Sequence, residues 1–245
     1  MNKQWLILSF LLLAQACTHK YPEHALAYQP NYPTTEFQYP PHVGKVKKET
    51  LVENKHYTVT KHQIENSHYI LDYGKDKHQL TFEVYKPKMK AACPVILVLP
   101  ISGGDYFFAR YFAKKFVKEG YVVSFVHRQE KYKRFSDLSL LNPTLKQMVL
   151  DHRQILDYLC QQEYVDKKRI ACFGMSLGAI KGALLTGAEP RIKTAVFILG
   201  GGDLSEILSK STERGVGRRR ARLMERHNLS LDGLRKYLKK KLVYD

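Results

Sequence analysis

The residues with the clearest chemical meaning lie between positions 172 and 179, which read CFGMSLGA. Within this stretch Gly174, Ser176 and Gly178 form the pattern G-x-S-x-G. A serine hydroxyl attacks a carbonyl carbon at neutral pH only when a neighbouring base, usually an imidazole, accepts its proton. The stretch therefore predicts a nucleophilic serine and requires a histidine elsewhere in the chain.

Histidines that could serve as the base are scarce. The only histidine after Ser176 is His227, in a basic segment with a helical pattern. It is a candidate base, and the alternative is an exposed surface histidine. Upstream, His127 follows a predicted strand at its carboxyl end, the side of an open sheet where sites form, and could line a pocket. The histidines show no metal-binding spacing.

An acid that would orient the base has one candidate, Asp203. It follows the glycines at 200–202, directly after a predicted strand. An aspartate in this position is also typical of a helix N-cap, here for a helix over residues 204–210. Both interpretations stay open from the sequence.

The segments around these residues predict alternating strands and helices. Continuous apolar runs, typical of strands buried on both faces, occupy residues 94–100, 121–126, 169–173 and 192–199. Helical patterns occupy residues 107–119, 143–164 and 177–187. Alternating apolar and polar residues at 56–64 and 78–85 predict antiparallel strands before them. The order predicts an α/β fold with a mostly parallel central sheet, opening antiparallel strands and helices on both faces.

Ser176 lies where a predicted buried strand turns directly into a helix. Such a turn lifts the serine above the sheet, with the N-terminus of the helix beneath it. Gly174 and Gly178 fit this position, because the turn is tight and the helix must cross the strand closely.

In these features the chain resembles the α/β-hydrolase superfamily, and more narrowly its bacterial secreted or lipoprotein esterase-like members. The resemblance covers residues 46–202. It implies Ser176 as the nucleophile and the backbone N–H of Leu177 as one oxyanion donor, with Ser102 in the loop 101–105 as the second. It implies a carboxylic ester or related acyl substrate and no cofactor. Pro100 and Ile101 depart from the family pattern, since many members carry His-Gly there.

The resemblance also implies an acid and a histidine after later strands than the chain contains. Four parallel strands are predicted where the fold normally has more, so we expect the last strands to be missing and the hydrolase to be truncated at its C-terminus. The alternative is a non-catalytic relic, or an α/β-hydrolase-like lipoprotein that binds a ligand or partner.

The N-terminal residues predict export. A positive start and a short apolar run make residues 1–17 a signal peptide, and its end resembles a bacterial lipoprotein box with Cys17 as the lipidated residue. Simple cleavage at an A-x-A site is the alternative. Residues 18–45 are rich in tyrosine and proline and predict a tether. The expected location is the periplasm or a bacterial membrane, reached through the lipid anchor.

The net charge of +17 raises the question of an anionic partner. Much of the excess lies in residues 204–245, a predicted basic, cap-like helical segment that follows the hydrolase core at 46–203. Nucleic acid is not expected, because the arginine run has no interleaved aromatic residues and the chain has no zinc-finger or RNA-recognition pattern. An anionic lipid surface and a solvated helix face are the two remaining interpretations.

Overall fold

The structure is a computed structural model that describes residues 34–39, 44–66, 68, 70, 79–101, 106–127, 137–242 and 244. The predicted signal peptide at 1–17, including Cys17, lies outside these residues. So do most of the predicted tether and the candidate oxyanion residue Ser102.

Seven strands form the sheet of the described chain. They are β1 (Val46–Glu53), β2 (Tyr57–Glu65), β3 (Gln79–Pro87), β4 (Cys93–Leu99), β5 (Val122–Val126), β6 (Val165–Met175) and β7 (Ile192–Ile198). Their order in the sheet is β1-β2-β3-β5-β4-β6-β7. The first three strands and β5 pair antiparallel, whereas β5, β4, β6 and β7 pair parallel. The predicted mixed sheet is confirmed, and it is open, with β1 and β7 at its two edges.

Six α-helices connect or follow these strands in the described residues. They are α1 (Phe107–Lys118), α2 (Leu141–Cys160), α3 (Leu177–Ala188), α4 (Leu204–Lys210), α5 (Arg214–Arg226) and α6 (Leu231–Lys241). None of the helices in the described ranges is both long and apolar enough to span a lipid bilayer.

Helices cover both faces of the sheet, as predicted. On one face, α1 buries Ala109, Ala113 and Val117 against β4 and β5. On the other face, α2 and α3 form the larger hydrophobic core, which includes Leu156 and Leu185. Because α1 and α3 each follow a parallel strand, their first turns lie at the carboxyl edge of the sheet, where sites form in open α/β sheets.

The C-terminal helices belong to the main core. Leu208 of α4, Leu223 of α5 and Leu238 of α6 are buried in the same cluster as the sheet residues. His227, at the end of α5, and Asn142, in the first turn of α2, join these helices to the carboxyl edge through hydrogen bonds to Leu138 and Lys241. The cap-like segment therefore packs over this edge.

The last part of the predicted tether differs from the prediction. Residues Thr34–Phe37 form a 3-10 helix, and Phe37 is fully buried against the ring of Tyr244. Tyr39 donates a hydrogen bond to Asp157 of α2 at 2.6 Å. Phe37 and Tyr39, which the composition assigned to the tether, thus pack against the folded domain. The domain therefore includes residues before position 45.

Candidate active site

Ser176 occupies a strained turn between β6 and α3. Its backbone angles are φ 54° and ψ −123°, a region that a non-glycine residue adopts only at a cost of roughly 1–3 kcal/mol. Its N–H donates to the carbonyl of Ile198 in β7 at 2.9 Å, and its own carbonyl accepts from Ala179 at 2.9 Å. The residue is partly exposed. This is the geometry expected of a nucleophile elbow.

The two glycines of the motif are required by close contacts. A Cβ atom on Gly174 would lie 2.4 Å from the carbonyl oxygen of Gly178, and one on Gly178 would lie 2.1 Å from the carbonyl oxygen of Leu99. Both obstacles are backbone atoms, which cannot move aside cheaply. The predicted steric role of Gly174 and Gly178 is therefore what the packing shows.

The first turn of α3 offers a donor for an oxyanion. Helices leave their first N–H groups without intrahelical partners, and the helix dipole makes this end positive. No hydrogen bond within the described ranges occupies the N–H of Leu177. The contact of Gly178 with Leu99 and Pro100 also brings the start of the loop that contains Ser102 beside the elbow, although Ser102 itself lies outside the described residues.

Asp203 caps a helix. Its carboxylate accepts hydrogen bonds from the N–H of Glu206 and the hydroxyl of Ser205, both at 2.6 Å. The hydrogen bond from the Ser205 hydroxyl, followed by that from the Glu206 backbone, lowers the pKa of the Asp203 carboxyl. The N-cap that the sequence left open as one alternative is formed at the start of α4.

His227 ends α5 and contacts the chain before α2. Its Nε2 atom accepts from the N–H of Leu138 at 3.3 Å, so a neutral ring carries its proton on Nδ1. The neighbouring Arg226 forms a 3.6 Å ion pair with Asp137. Within the part of the chain that the structure describes, no hydrogen bond joins Ser176, Asp203 and His227 to one another. The motif residues are brought together, whereas the candidate acid and base each have another partner.

A second polar cluster lies at the same edge of the sheet, around the buried Glu83 of β3. Its carboxylate accepts from Arg110 of α1 at 2.7 Å, from His127 at 2.9 Å and from Tyr85 at 3.0 Å. Burial raises the pKa of Glu83, but the hydrogen bonds from His127 and Arg110 outweigh this effect and lower the pKa to about 2. Glu83 is thus an ionised carboxylate with its charge compensated inside the protein.

The cluster positions the residue that precedes α1. The ring of Tyr106 stacks on His127 with 4.7 Å between centroids, and the Arg110 guanidinium lies 5.8 Å from the same ring. Tyr106 has a left-handed backbone with φ 68°. The sequence marked His127 alone as a pocket residue. A glutamate inside the alternating strand at 78–85 was the available signal for its partner.

The described residues contain no group of three or more His, Cys, Asp or Glu side chains close enough to hold a metal ion. The cluster around Glu83 is instead an ion-pair network of two cationic or hydrogen-bonding side chains and a tyrosine around one carboxylate.

The structure of this chain is similar to solved structures of known proteins. No family model and no curated protein matches the sequence. Among solved structures, an acetyl xylan esterase from Paenibacillus has a TM-score of 0.60 at 18% identity, covering 82% of this chain and 69% of its own. Acetyl xylan esterase 1 from Thermoanaerobacterium has a TM-score of 0.55 at 15% identity, covering 82% of this chain and 66% of its own. This chain spans about two thirds of the length of these esterases.

In both comparisons the similarity covers 82% of this chain. Together with the strand-to-helix turn at Ser176, it identifies the architecture: the chain has the α/β-hydrolase fold.

Proposed function

We propose that the chain is a serine hydrolase of carboxylic esters with Ser176 as its nucleophile. The observation that carries the proposal is the positive φ of Ser176, in a turn between β6 and α3 whose positions 174 and 178 accept only glycine. Strain of this kind is typical of functional residues. The acetyl xylan esterases with a similar fold support an ester as the small-molecule substrate.

In the proposed reaction, the Oγ atom of Ser176 attacks the carbonyl carbon of the ester. The N–H of Leu177 stabilises the negative oxygen of the tetrahedral intermediate, and the loop of Ser102 supplies the second donor. The alcohol leaves, and water then hydrolyses the acyl-enzyme. No cofactor takes part in these steps.

His227 and Asp203 are the proposed base and acid of this chain. To act together with Ser176, His227 would have to exchange its contact with Leu138. Asp203 would have to accept from His227 through Oδ2, since its hydrogen bonds at the start of α4 both use Oδ1. Those existing contacts favour the second candidate function, a non-catalytic protein that uses the same edge of the sheet to bind a ligand or partner.

The proposed location is outside the cytoplasm, on a bacterial membrane, with Cys17 carrying the lipid. The signal-peptide pattern of residues 1–17 supports this proposal. Membrane fractionation of cells that produce the Cys17→Ser variant would test it. Release of the variant from the membrane fraction is expected, and unchanged retention would refute anchoring through this cysteine.

The hydrolase proposal is tested with a fluorophosphonate probe and with p-nitrophenyl acetate. We expect the purified chain to be labelled at Ser176 and to hydrolyse the ester, and Ser176→Ala to lose both properties. Ser211→Ala, a partly exposed serine elsewhere, is the matched control. Labelling that persists in Ser176→Ala would remove this serine from the mechanism.

The same assays separate the two candidate functions. If His227 and Asp203 complete the site, His227→Gln and Asp203→Asn should lose ester hydrolysis while keeping the fold. An unlabelled, inactive wild-type chain with a cooperative thermal melt would support the non-catalytic alternative.

A further inference from the structure

The outer face of α1 is unusually apolar for a solvent-exposed surface. Phe107 is 64% exposed, Phe108 45% and Tyr111 48%. They are consecutive neighbours on the helix surface, since residues three and four apart face the same side. The opposite face of the helix packs on the sheet through Ala109 and Ala113, so the three rings are not part of the core.

The aromatic residues are followed on the same helix by lysines. Lys114, Lys115 and Lys118 are exposed, and the helix sequence FFARYFAKKFVK contains no acidic residue. The ammonium group of Lys115 lies 5.7 Å from the centre of the Tyr111 ring. In the described part of the chain, none of these three lysines forms an ion pair with an acidic side chain. The face therefore combines an apolar end with a basic end, where three lysines precede a single acidic residue, Glu119.

The apolar end lies at the carboxyl edge of the sheet, beside the candidate active site. The helix follows β4, whose last residues contact Gly178 of the elbow. Tyr106, immediately before the helix, stacks on His127 at the end of β5. A surface that met Phe107 and Phe108 would consequently lie next to the edge that carries Ser176.

We propose that this face of α1, from Phe107 to Lys118, docks on an anionic lipid bilayer. Aromatic rings and lysines on one helix surface are the combination that lies in a membrane interface, with the rings among the acyl chains and the ammonium groups at the headgroups. The net charge of +17 provides the charge complementarity. If Ser176 acts as proposed above, its substrates are esters presented at a lipid surface.

The test uses a tryptophan at the face itself, because the apolar run near the N-terminus can associate with vesicles on its own. Trp5 is the only native tryptophan, so the full chain with Trp5→Phe and Phe108→Trp has a single reporter. We expect its emission to shift to the blue with phosphatidylglycerol vesicles, and to be quenched by brominated acyl chains. Leu51→Trp in the same background is the control, since Leu51 is 42% exposed on the edge strand β1, outside the face of α1.

The charge contribution is tested by the triple substitution of Lys114, Lys115 and Lys118 by glutamine. We expect the affinity of the reporter protein for phosphatidylglycerol vesicles to fall roughly fivefold for each lysine removed. Phosphatidylcholine vesicles should cause little shift in the emission of the reporter. The matched control replaces Lys167, Lys168 and Lys193, which are exposed at the amino edge of the sheet. Equal loss in both triple variants would show a non-specific charge effect and would overturn the proposal.

Three further outcomes would overturn it. The first is an unshifted, unquenched reporter at position 108, and the second is the same quenching at position 51. The third is protection of the reporter from iodide by soluble xylan and not by vesicles, which would assign the face to a polysaccharide. Turnover of soluble p-nitrophenyl acetate is measured separately, so failure of lipid docking and failure of the proposed hydrolase activity are distinguishable.

Discussion

At position 178 the elbow has room for a hydrogen atom and nothing larger. A methyl group there would meet the carbonyl of Leu99 at 2.1 Å, and helix α3 would have to move away from β4. We expect Gly178→Ala to lower the free energy of unfolding by about 1–3 kcal/mol, as overpacking does in other cores. Urea unfolding followed by circular dichroism would measure it.

The chain provides a matched control for this substitution. A Cβ atom on Gly202 would have nothing within 4 Å, and Gly202 does not have the positive φ that strains other residues. Gly202→Ala should change the stability by less than about 0.5 kcal/mol. Similar losses in the two variants would contradict the close contact at the elbow.

The ionised carboxylate of Glu83 should make the stability of the fold depend on pH. Its pKa falls from the ordinary 4.5 to about 2 in the folded protein. A lowered carboxyl pKa stabilises the fold fully above about pH 4.5, and this contribution is lost as the pH falls towards 2. We expect Glu83→Gln to cost on the order of 2–3 kcal/mol at neutral pH and to flatten this part of the pH profile.

Urea unfolding of the wild type and Glu83→Gln across this acidic range would check the prediction. Glu53→Gln is the control, because that carboxylate is 64% exposed in its ion pair with Lys88. A variant profile parallel to that of the wild type below pH 4.5 would mean that Glu83 is not compensated as the structure shows.

Among the elements, the two edge strands differ in how they are protected. β1 reads VKKETLVE and carries charges of both signs, which discourage pairing with another sheet. β7 reads IKTAVFI, and its Val196, Phe197 and Ile198 are 50%, 38% and 37% exposed. We expect β7 to be the strand through which the purified chain self-associates.

Val196→Lys should therefore reduce association without a large change in stability, because a charge on an exposed edge blocks strand addition. Sedimentation velocity at several concentrations measures the effect. Leu51→Lys, on the already charged β1, should leave the distribution unchanged. Equal behaviour of the two variants would place the association surface elsewhere.

The elements also show what sequence patterns could and could not predict. Strands β4 to β7 were predicted because strands buried in a parallel sheet are continuous apolar runs, as in PVILVL. β1 was missed because almost every residue of it is exposed, so it has no apolar face to recognise. The opposite error occurred at residue 37, where a buried phenylalanine in a proline-rich region was assigned to the tether.

In the candidate site, too, residues close in sequence were predicted together, whereas residues joined by long-range packing were not. Gly174, Ser176 and Gly178 are neighbours in sequence, so their shared turn was predicted from spacing. Glu83 contacts Arg110 and His127 at separations of 27 and 44 residues, and no local pattern encodes such a cluster. For the same reason the acid and the base stay predictions, since their meeting with Ser176 depends on long-range packing.

The stability of the whole molecule should also decrease in mild acid, because two buried histidines are neutral in the folded chain. Burial, with a smaller effect of Lys48, lowers the pKa of His62 from 6.5 to about 4. Burial and the charge of Lys181 likewise lower that of His152 to about 4. As the pH falls below about 6.5, the unfolded chain binds protons that the folded chain does not, so stability decreases until about pH 4.

We expect each histidine to remove up to about 1.4 kcal/mol per pH unit in this window. Urea midpoints measured from neutral pH to about pH 4 test this, and His152→Gln should have a shallower profile than the wild type. His56→Gln changes an exposed histidine and should not alter the slope. A pH-independent wild type above pH 4.5 would contradict the burial of both rings.

The hydrogen bond from the N–H of Ser176 to Ile198 joins the proposed nucleophile to an edge strand whose residues are almost all exposed. Strands with few buried contacts belong to the units that open locally, at a lower free energy than global unfolding. Each such opening of β7 would release the amide of Ser176 and let its strained backbone relax. The strained turn at Ser176 therefore depends on an edge strand that opens before the rest of the sheet. Under mild heat or denaturant, this turn would be lost while the central strands stay folded.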